Sequence, residues 1–376
     1  MTSMQPLQLD LAQCRIRQQR LTAVLQALKL DRVVISGREN IQYLTGFRPF
    51  YLHSAAFCLQ ADGRSALAAP NNIPDHVEAD EVVTFEAQWL STLRQDQAAA
   101  AAEALASAVG STDSTRLGAD FSNSGPHSLQ ALGNPQVSLD QLTDVEPQLC
   151  ELRRLKDPDE LAMIDRAIAC THAMYERARE IIAPGINELE VFNQLHAAAV
   201  EVAGEPLTAL GNDYQCNQRG GPPRDRDAQA GELFILDLGP AYRGYYADNC
   251  RTFSVDRSPT DDQLAAWQAI VQTLEMVEAT VKPGISSRAL YEQAAEMLAA
   301  CPLGEFPHHL GHGFGLYPHE APHLNPNWDD TFQEGEVFTA EPGLYGPTLA
   351  AGIRLEQNYL VTADGVRRLT SFPLDL

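Results

Sequence analysis

Four carboxylates and one imidazole stand out in the second half of the chain for the residues that flank them. Asp237 closes the apolar run Leu233-Phe234-Ile235-Leu236, and Asp248 follows a turn-like stretch around Tyr242 and Arg243. A hairpin centred between Tyr242 and Arg243 would set Asp237 opposite Asp248, with Cβ atoms about 4.5–5.5 Å apart. Carboxylates that close repel each other unless something positive lies between them, and a divalent cation would serve. The competing reading is another register that leaves both acids in solvent. Half of the ten histidines fall in one short stretch: His308, His309, His312, His319 and His323. Glycines at 311, 313 and 315 let the backbone around His312 approach closely, and neutral imidazole is a common metal ligand. His323 reads as structural or exposed. Glu341 ends the run Val337-Phe338-Thr339-Ala340 at a Pro-Gly turn. Alternation through Gly352-Ile353-Arg354-Leu355-Glu356 puts Arg354 and Glu356 on one strand face, as an ordinary surface ion pair would also require. An oxygen-rich set with one nitrogen suits Mn²⁺, Fe²⁺, Co²⁺ or Zn²⁺.

The elements that must position these groups can be read from periodicity. Residues 1–150 alternate helix and strand. Cys14 to Leu30 has helical spacing, Val33-Val34-Ile35 forms a short buried strand, and Ala55–Leu59 and Ser65–Ala68 read as strands joined by a turn at Asp62-Gly63. Glu86 to Val109 reads as largely helical by composition. Near Cys150 the pattern changes. Asp157-Pro158-Asp159-Glu160 combines a capping residue, proline at the first position and acids at the positive end of a helix that runs to Ile182. Pro184-Gly185-Ile186-Asn187, with Asn187 and Glu190 as a capping pair, and Pro283-Gly284-Ile285-Ser286 each join two helices ahead of a strand-rich stretch. A duplicated α/β half facing its twin across a shared site is expected, although Pro-Gly turns also recur by chance. Two domains follow, 1–150 and 151–376.

The 376 residues carry a formal charge of −23 with 44% hydrophobic and 20% charged residues, a globular composition whose sign disfavours nucleic acid and anionic membranes. Residues 1–25 lack the apolar core of a signal peptide. The longest apolar run, around Ala98–Ala108, is too short to span a bilayer. Seven scattered cysteines without a C-x-x-C pair argue against a disulfide framework and a structural zinc site. A cytoplasmic protein is expected.

Asp237, Asp248, the Gly311-His312-Gly313 loop with His319-Glu320, Glu341-Pro342-Gly343, and Arg354 with Glu356 resemble, in order and spacing, the five-ligand pattern of the pita-bread metallopeptidases. That family includes methionine aminopeptidase, aminopeptidase P and prolidase. Asn40-Ile41-Gln42-Tyr43-Leu44-Thr45-Gly46-Phe47 resembles a motif of the N-terminal domain in the prolidase, aminopeptidase P and creatinase branch. The fold class implied is an α/β creatinase/prolidase-like domain followed by an α+β pita-bread catalytic domain with a pseudo-twofold repeat.

The resemblance implies a metallopeptidase that cleaves Xaa-Pro bonds in dipeptides or at peptide N-termini. Asp237 would chelate one ion, Asp248 and Glu356 would bridge two, and His312 and Glu341 would hold the second. Mn²⁺ leads, with Co²⁺, Zn²⁺ or Fe²⁺ possible. Glu341 would shuttle a proton and His319 would stabilise the oxyanion or leaving nitrogen. His308 and Arg354 would line the proline-side pocket. Related peptidases carry a histidine before the stretch matching Gly220-Gly221-Pro222-Pro223; here Arg219 stands there. Arginine cannot serve as a base, so an anionic substrate group near Arg219 is implied. A homodimer is expected. The alternatives are a metal-dependent enzyme acting on a non-peptide small molecule and an inactive binding module.

Overall fold

The structure is a computed structural model that describes residues 6–110, 116–128, 142–211 and 213–376. Within it the chain falls into two compact units, one of Gln8–Arg153 and one of Arg154–Leu376 together with Pro6 and Leu7.

The first unit is a six-stranded sheet with helices packed on it. Helix α1 (Leu11–Ala27) begins at Asp10, whose carboxylate accepts from the Ala12 N–H at 2.7 Å. Strand β1 (Arg32–Ile35) and helix α2 (Arg38–Thr45) follow, then β2 (Ala56–Gln60), β3 (Ser65–Pro70) and β4 (Glu81–Phe85). The Asp62-Gly63 turn joins β2 to β3 as an antiparallel pair. The helical reading of Glu86–Val109 is half corrected. Only α3 (Gln97–Val109) is helical, and a small hairpin of β5 (Gln88–Trp89) and β6 (Thr92–Leu93) precedes it. The alanines that suggested a helix all lie beyond Gln97, apart from Ala87. Leu90 and Ser91 instead take positive φ (48° and 67°), the geometry of a tight two-residue hairpin turn. Strands β7 (Leu117–Ala119) and β8 (Leu142–Asp144) complete the sheet in the order β4-β3-β2-β1-β7-β8. Helix α4 (Glu146–Arg154) leads out of it.

The second unit opens with α5 (Pro158–Ile181), capped reciprocally by Asp157 and Glu160. Helix α6 (Glu188–Ala203) starts at Asn187, whose side chain accepts from the Leu189 N–H at 3.0 Å. The expected partner Glu190 is not part of that cap: its carboxylate accepts from Gln194 at 2.9 Å. Strands β9 (Asp213–Cys216), β10 (Leu233–Leu238), β11 (Ala241–Tyr242), β12 (Tyr245–Tyr246) and β13 (Asn249–Ser254) follow, with β13-β10-β9 forming one sheet. The stretch that carries Arg219 and the Gly220-Gly221-Pro222-Pro223 segment therefore follows directly on a strand. Helices α7 (Asp261–Thr280) and α8 (Ser287–Ala299) precede β14 (Gly311–Gly313), β15 (Glu320–Leu324), β16 (Val337–Ala340), β17 (Gly343–Leu344), β18 (Ile353–Arg354), β19 (Gln357–Val361) and β20 (Val366–Arg368). The larger sheet runs β15-β14-β16-β19-β20.

The internal repeat is written in the hydrogen bonds. The Gly185 N–H donates to Ala228 and the Glu188 N–H to Arg226; in the second half the Gly284 N–H donates to Phe332 and the Ser287 N–H to Asp330. Both turn glycines sit at φ 92°, a conformation that costs a residue with a Cβ. The same offset of 104 residues that carries Ala228 to Phe332 carries Asp237 to Glu341. A core of Leu233, Ile270, Leu274, Leu290, Leu298, Leu310, Phe338 and Tyr359 supports the second half.

Candidate metal centre

The two acids expected to face each other do not. Strand β10 pairs with β13 so that Asp237 stands opposite Cys250 and Leu238 opposite Asn249. The hairpin register is shifted because the turn is Arg243-Gly244, both at positive φ (49° and 89°), with Tyr242 opposite Tyr245. Asp248 thus lies one diagonal step from Asp237 on the same face, close enough for each carboxyl to shift the other's ionisation. In the second half Ala340 pairs with Gln357, and Gly343 with Arg354. The register between those pairs sets Glu341 opposite Glu356.

The backbone ties these ends together. The Glu341 N–H donates to Leu310 at 2.7 Å and the Glu356 N–H to Cys250 at 3.0 Å. His312 sits on β14, where a β-bulge interrupts the pairing with β15. Its Nδ1–H donates to the Gly313 carbonyl at 3.0 Å, which leaves the Nε2 lone pair facing inward. Nε2 lies 3.6 Å from Asp248 Oδ2 and 3.7 Å from Glu341 Oε1.

Five groups read from sequence are therefore brought together, and they are costly as they stand. Glu356 is 1% exposed, and neither of its carboxylate oxygens has a hydrogen-bond partner. Burial pushes the Asp237, Asp248 and Glu356 carboxyls above their usual range. Asp237 and Glu341 add to the rise at Asp248, and Asp248 and Glu341 add to that at Glu356. Glu341 is pushed up to about 8 by burial and then by Asp237. Burial and the neighbouring His319 hold the His312 imidazole neutral. Orphaned carboxylate oxygens beside an inward lone pair form a donor set suited to divalent cations. Ligand atoms from Asp237, Glu341 and Glu356 converge within 4.8 Å of one another, as do those of Asp248, His312 and His319.

The remaining expected residues lie around this core. Arg354 does not pair with Glu356. Its guanidinium donates to Asp237 Oδ2 at 2.8 Å, to Asp213, to the Tyr345 hydroxyl at 3.0 Å and to the Arg219 carbonyl at 3.3 Å. The imidazole of His319 stacks on His312 with centroids 3.7 Å apart, and its neighbour Glu320 is held by a buried Lys156 at 2.8 Å. His308 donates from Nδ1 to the His309 carbonyl at 2.8 Å and accepts from the Tyr345 hydroxyl at 2.9 Å. Arg219 is exposed, its guanidinium 5.2 Å from the Tyr345 ring centre. His323 pairs with Asp330 at 2.9 Å, the structural role read from sequence.

Three site residues were missed. Asp213 reaches Arg354 only through the β9–β10 pairing, and a Cβ at Gly220 would fall 2.2 Å from its carboxylate. Tyr345 links His308 to Arg354 across 37 and 9 residues. His309 Nδ1 lies 3.4 Å from Glu341 Oε1; its place in the histidine cluster was the available signal.

Residues 162–363, more than half of the chain, match the family described as metallopeptidase family M24. The chain belongs to that family. It is a metallopeptidase, and the family's chemistry rests on divalent metal ions. Residues 17–155 match the creatinase/prolidase N-terminal domain, so the first unit is of that type and the second has the pita-bread fold. An Xaa-Pro dipeptidase of Pyrococcus horikoshii is 26% identical over 92% of this chain and 94% of its own. Among solved structures, prolidase from Pyrococcus furiosus superposes with a TM-score of 0.78 at 24% identity, covering 94% of this chain and 99% of its own. Aminopeptidase P of Escherichia coli gives 0.78 at 18% identity, covering 97% and 96%. No helix among the described residues is long and apolar enough to cross a membrane.

Proposed function

We propose that this metallopeptidase hydrolyses Xaa-Pro bonds in dipeptides or at the N-termini of short peptides, with two divalent ions held by Asp237, Asp248, His312, Glu341 and Glu356. The observation that carries the ligand assignment is Glu356, whose two buried oxygens lack any hydrogen-bond partner while Asp248, Glu341 and Asp237 press on it with like charge. The Xaa-Pro specificity is supported by the name of the P. horikoshii relative and by the prolidase and aminopeptidase P folds. These peptidase names also favour a peptide over a non-peptide small molecule. Manganese fits the oxygen-rich donor set. The dimeric state and cytoplasmic location remain part of this proposal.

Paired divalent ions make water a nucleophile near neutral pH and polarise a carbonyl. The chain's own residues do the rest. Glu341, whose carboxyl lies beside the His312 imidazole at the end of β16, would hold the proton released by the attacking water and return it to the leaving nitrogen. Arg354 fixes the orientation of Asp237 through its bond to Oδ2. His319, stacked on His312, offers its ring edge to the developing oxyanion. His308, with both ring nitrogens engaged, shapes the proline-side wall together with Tyr345. Arg219, exposed beside the Tyr345 ring, would offer a fixed positive charge to a substrate carboxylate. The test is a Mn²⁺-reconstituted assay on Xaa-Pro dipeptides and tripeptides, with a chelated control and metal analysis of the same sample. Chelator-sensitive proline release is expected. Bound metal without cleavage of any member overturns the substrate class.

A further inference from the structure

We propose that His309 is a sixth protein ligand, supplying a second imidazole to the metal position shared by His312 and Glu341. The proposal rests on the metal-centre reading above and extends it to a residue outside the five-ligand pattern.

Three observations carry it. First, His309 Nδ1 is buried and has no hydrogen-bond partner, and it lies 3.4 Å from Glu341 Oε1. Second, one donor atom each from His309, His312 and Glu341 lie within 4.8 Å of one another. Nitrogen and oxygen ligands sit about 2.0–2.2 Å from such an ion, so two of them at angles of about 90–125° stand about 3–3.7 Å apart. The His309–Glu341 separation of 3.4 Å and the His312–Glu341 separation of 3.7 Å fall in that range. Third, backbone bonds set the position. The His309 carbonyl accepts from His308, and Leu310 donates to Leu324 and accepts from Glu341 at 2.7 Å. The ring is therefore carried on a segment anchored directly to the Glu341 strand end.

A second nitrogen changes what the site prefers. Imidazole favours Co²⁺, Zn²⁺ and Fe²⁺, whereas all-oxygen sites suit Mn²⁺ and Mg²⁺. His309 should therefore tighten binding of the borderline ions more than that of Mn²⁺.

The experiment is a titration of the chelator-stripped full chain with Co²⁺ and, separately, Mn²⁺, followed by calorimetry and by the visible absorption of bound Co²⁺. Wild type is compared with His309→Asn, which keeps a polar atom near Nδ1, and with His309→Phe, which keeps the ring volume. Both variants are expected to lose about tenfold or more in Co²⁺ affinity at one of two sites, with a smaller change for Mn²⁺ and an altered Co²⁺ spectrum. Equal affinities and unchanged spectra overturn the role of His309 and leave the five-ligand centre standing. A wild-type protein that takes up no Co²⁺ overturns the centre itself. Independently of folding in the variants, ¹⁵N-histidine NMR of the Zn²⁺-loaded wild type should show two metal-bound imidazole nitrogens; one alone refutes the proposal.

Discussion

The side-chain amide of Asn358 donates to the main-chain carbonyl of Asp248. Asn249 returns the arrangement by donating to the carbonyl of Glu356, and the Arg251 guanidinium donates to that same carbonyl. The backbones of the two proposed bridging acids are thus fixed by side chains from the opposite strands, independently of the carboxylates themselves.

Isosteric neutralisation should for that reason spare the frame. Asp248→Asn and Glu356→Gln are expected to fold normally while losing bound metal and activity together. Metal content by mass spectrometry and proline release from an Xaa-Pro dipeptide check this; full turnover in either variant would falsify the ligand assignment.

His319 touches the centre through its stack on His312, and its neighbour Glu320 is anchored by Lys156. His319→Ala should keep its metal and lower kcat by about 100-fold or more, in the range of a lost oxyanion donor. Loss of metal in that variant would make His319 a ligand instead.

Arg219 carries its charge on an exposed side chain over Tyr345. Arg219→Ala is expected to raise KM about tenfold, equivalent to about 1.4 kcal/mol, for dipeptides with a free carboxylate. The corresponding amides should change little. An equal effect on acid and amide would show that Arg219 does not read the carboxylate.

The carboxyls of the centre predict how the stripped protein responds to pH. Glu341 rises from an ordinary value of 4.5 to about 8, and Asp237, Asp248 and Glu356 rise as well, all chiefly through burial. A group with a raised folded-state pKa holds more protons folded than unfolded, so its contribution is intact below the unfolded pKa and is lost as pH climbs. The chelator-treated protein should lose stability between about pH 4.5 and 8, and denaturant midpoints across that window should fall. Metal-loaded protein should resist the loss, because cations replace the protons. A flat profile for the stripped protein would count against a shared buried cluster.

Much of this was legible in the residues because each proposed ligand ends or interrupts a locally readable element. Asp237 and Glu341 close apolar strands, and His312 sits among glycines. The register of Asp248 was not legible, since nothing in the local sequence marks Arg243 as a residue at positive φ. Asp213 and Tyr345 were invisible for a different reason. Their role exists only through pairing across distant strands, which bring them to Arg354. The hairpin at Trp89–Thr92 was hidden by the alanine-rich composition that follows it.

The offset of 104 residues that carries Asp237 onto Glu341 matches backbones but not side chains. One half presents the shorter acid and the other the longer, with His312 on the second half alone. A frame built from twins is thereby given a left and a right. On the proposed function, a peptide entering it would meet different chemistry on either side of the bond to be broken, which would assign sides to the attacking water and the departing nitrogen before substrate arrives.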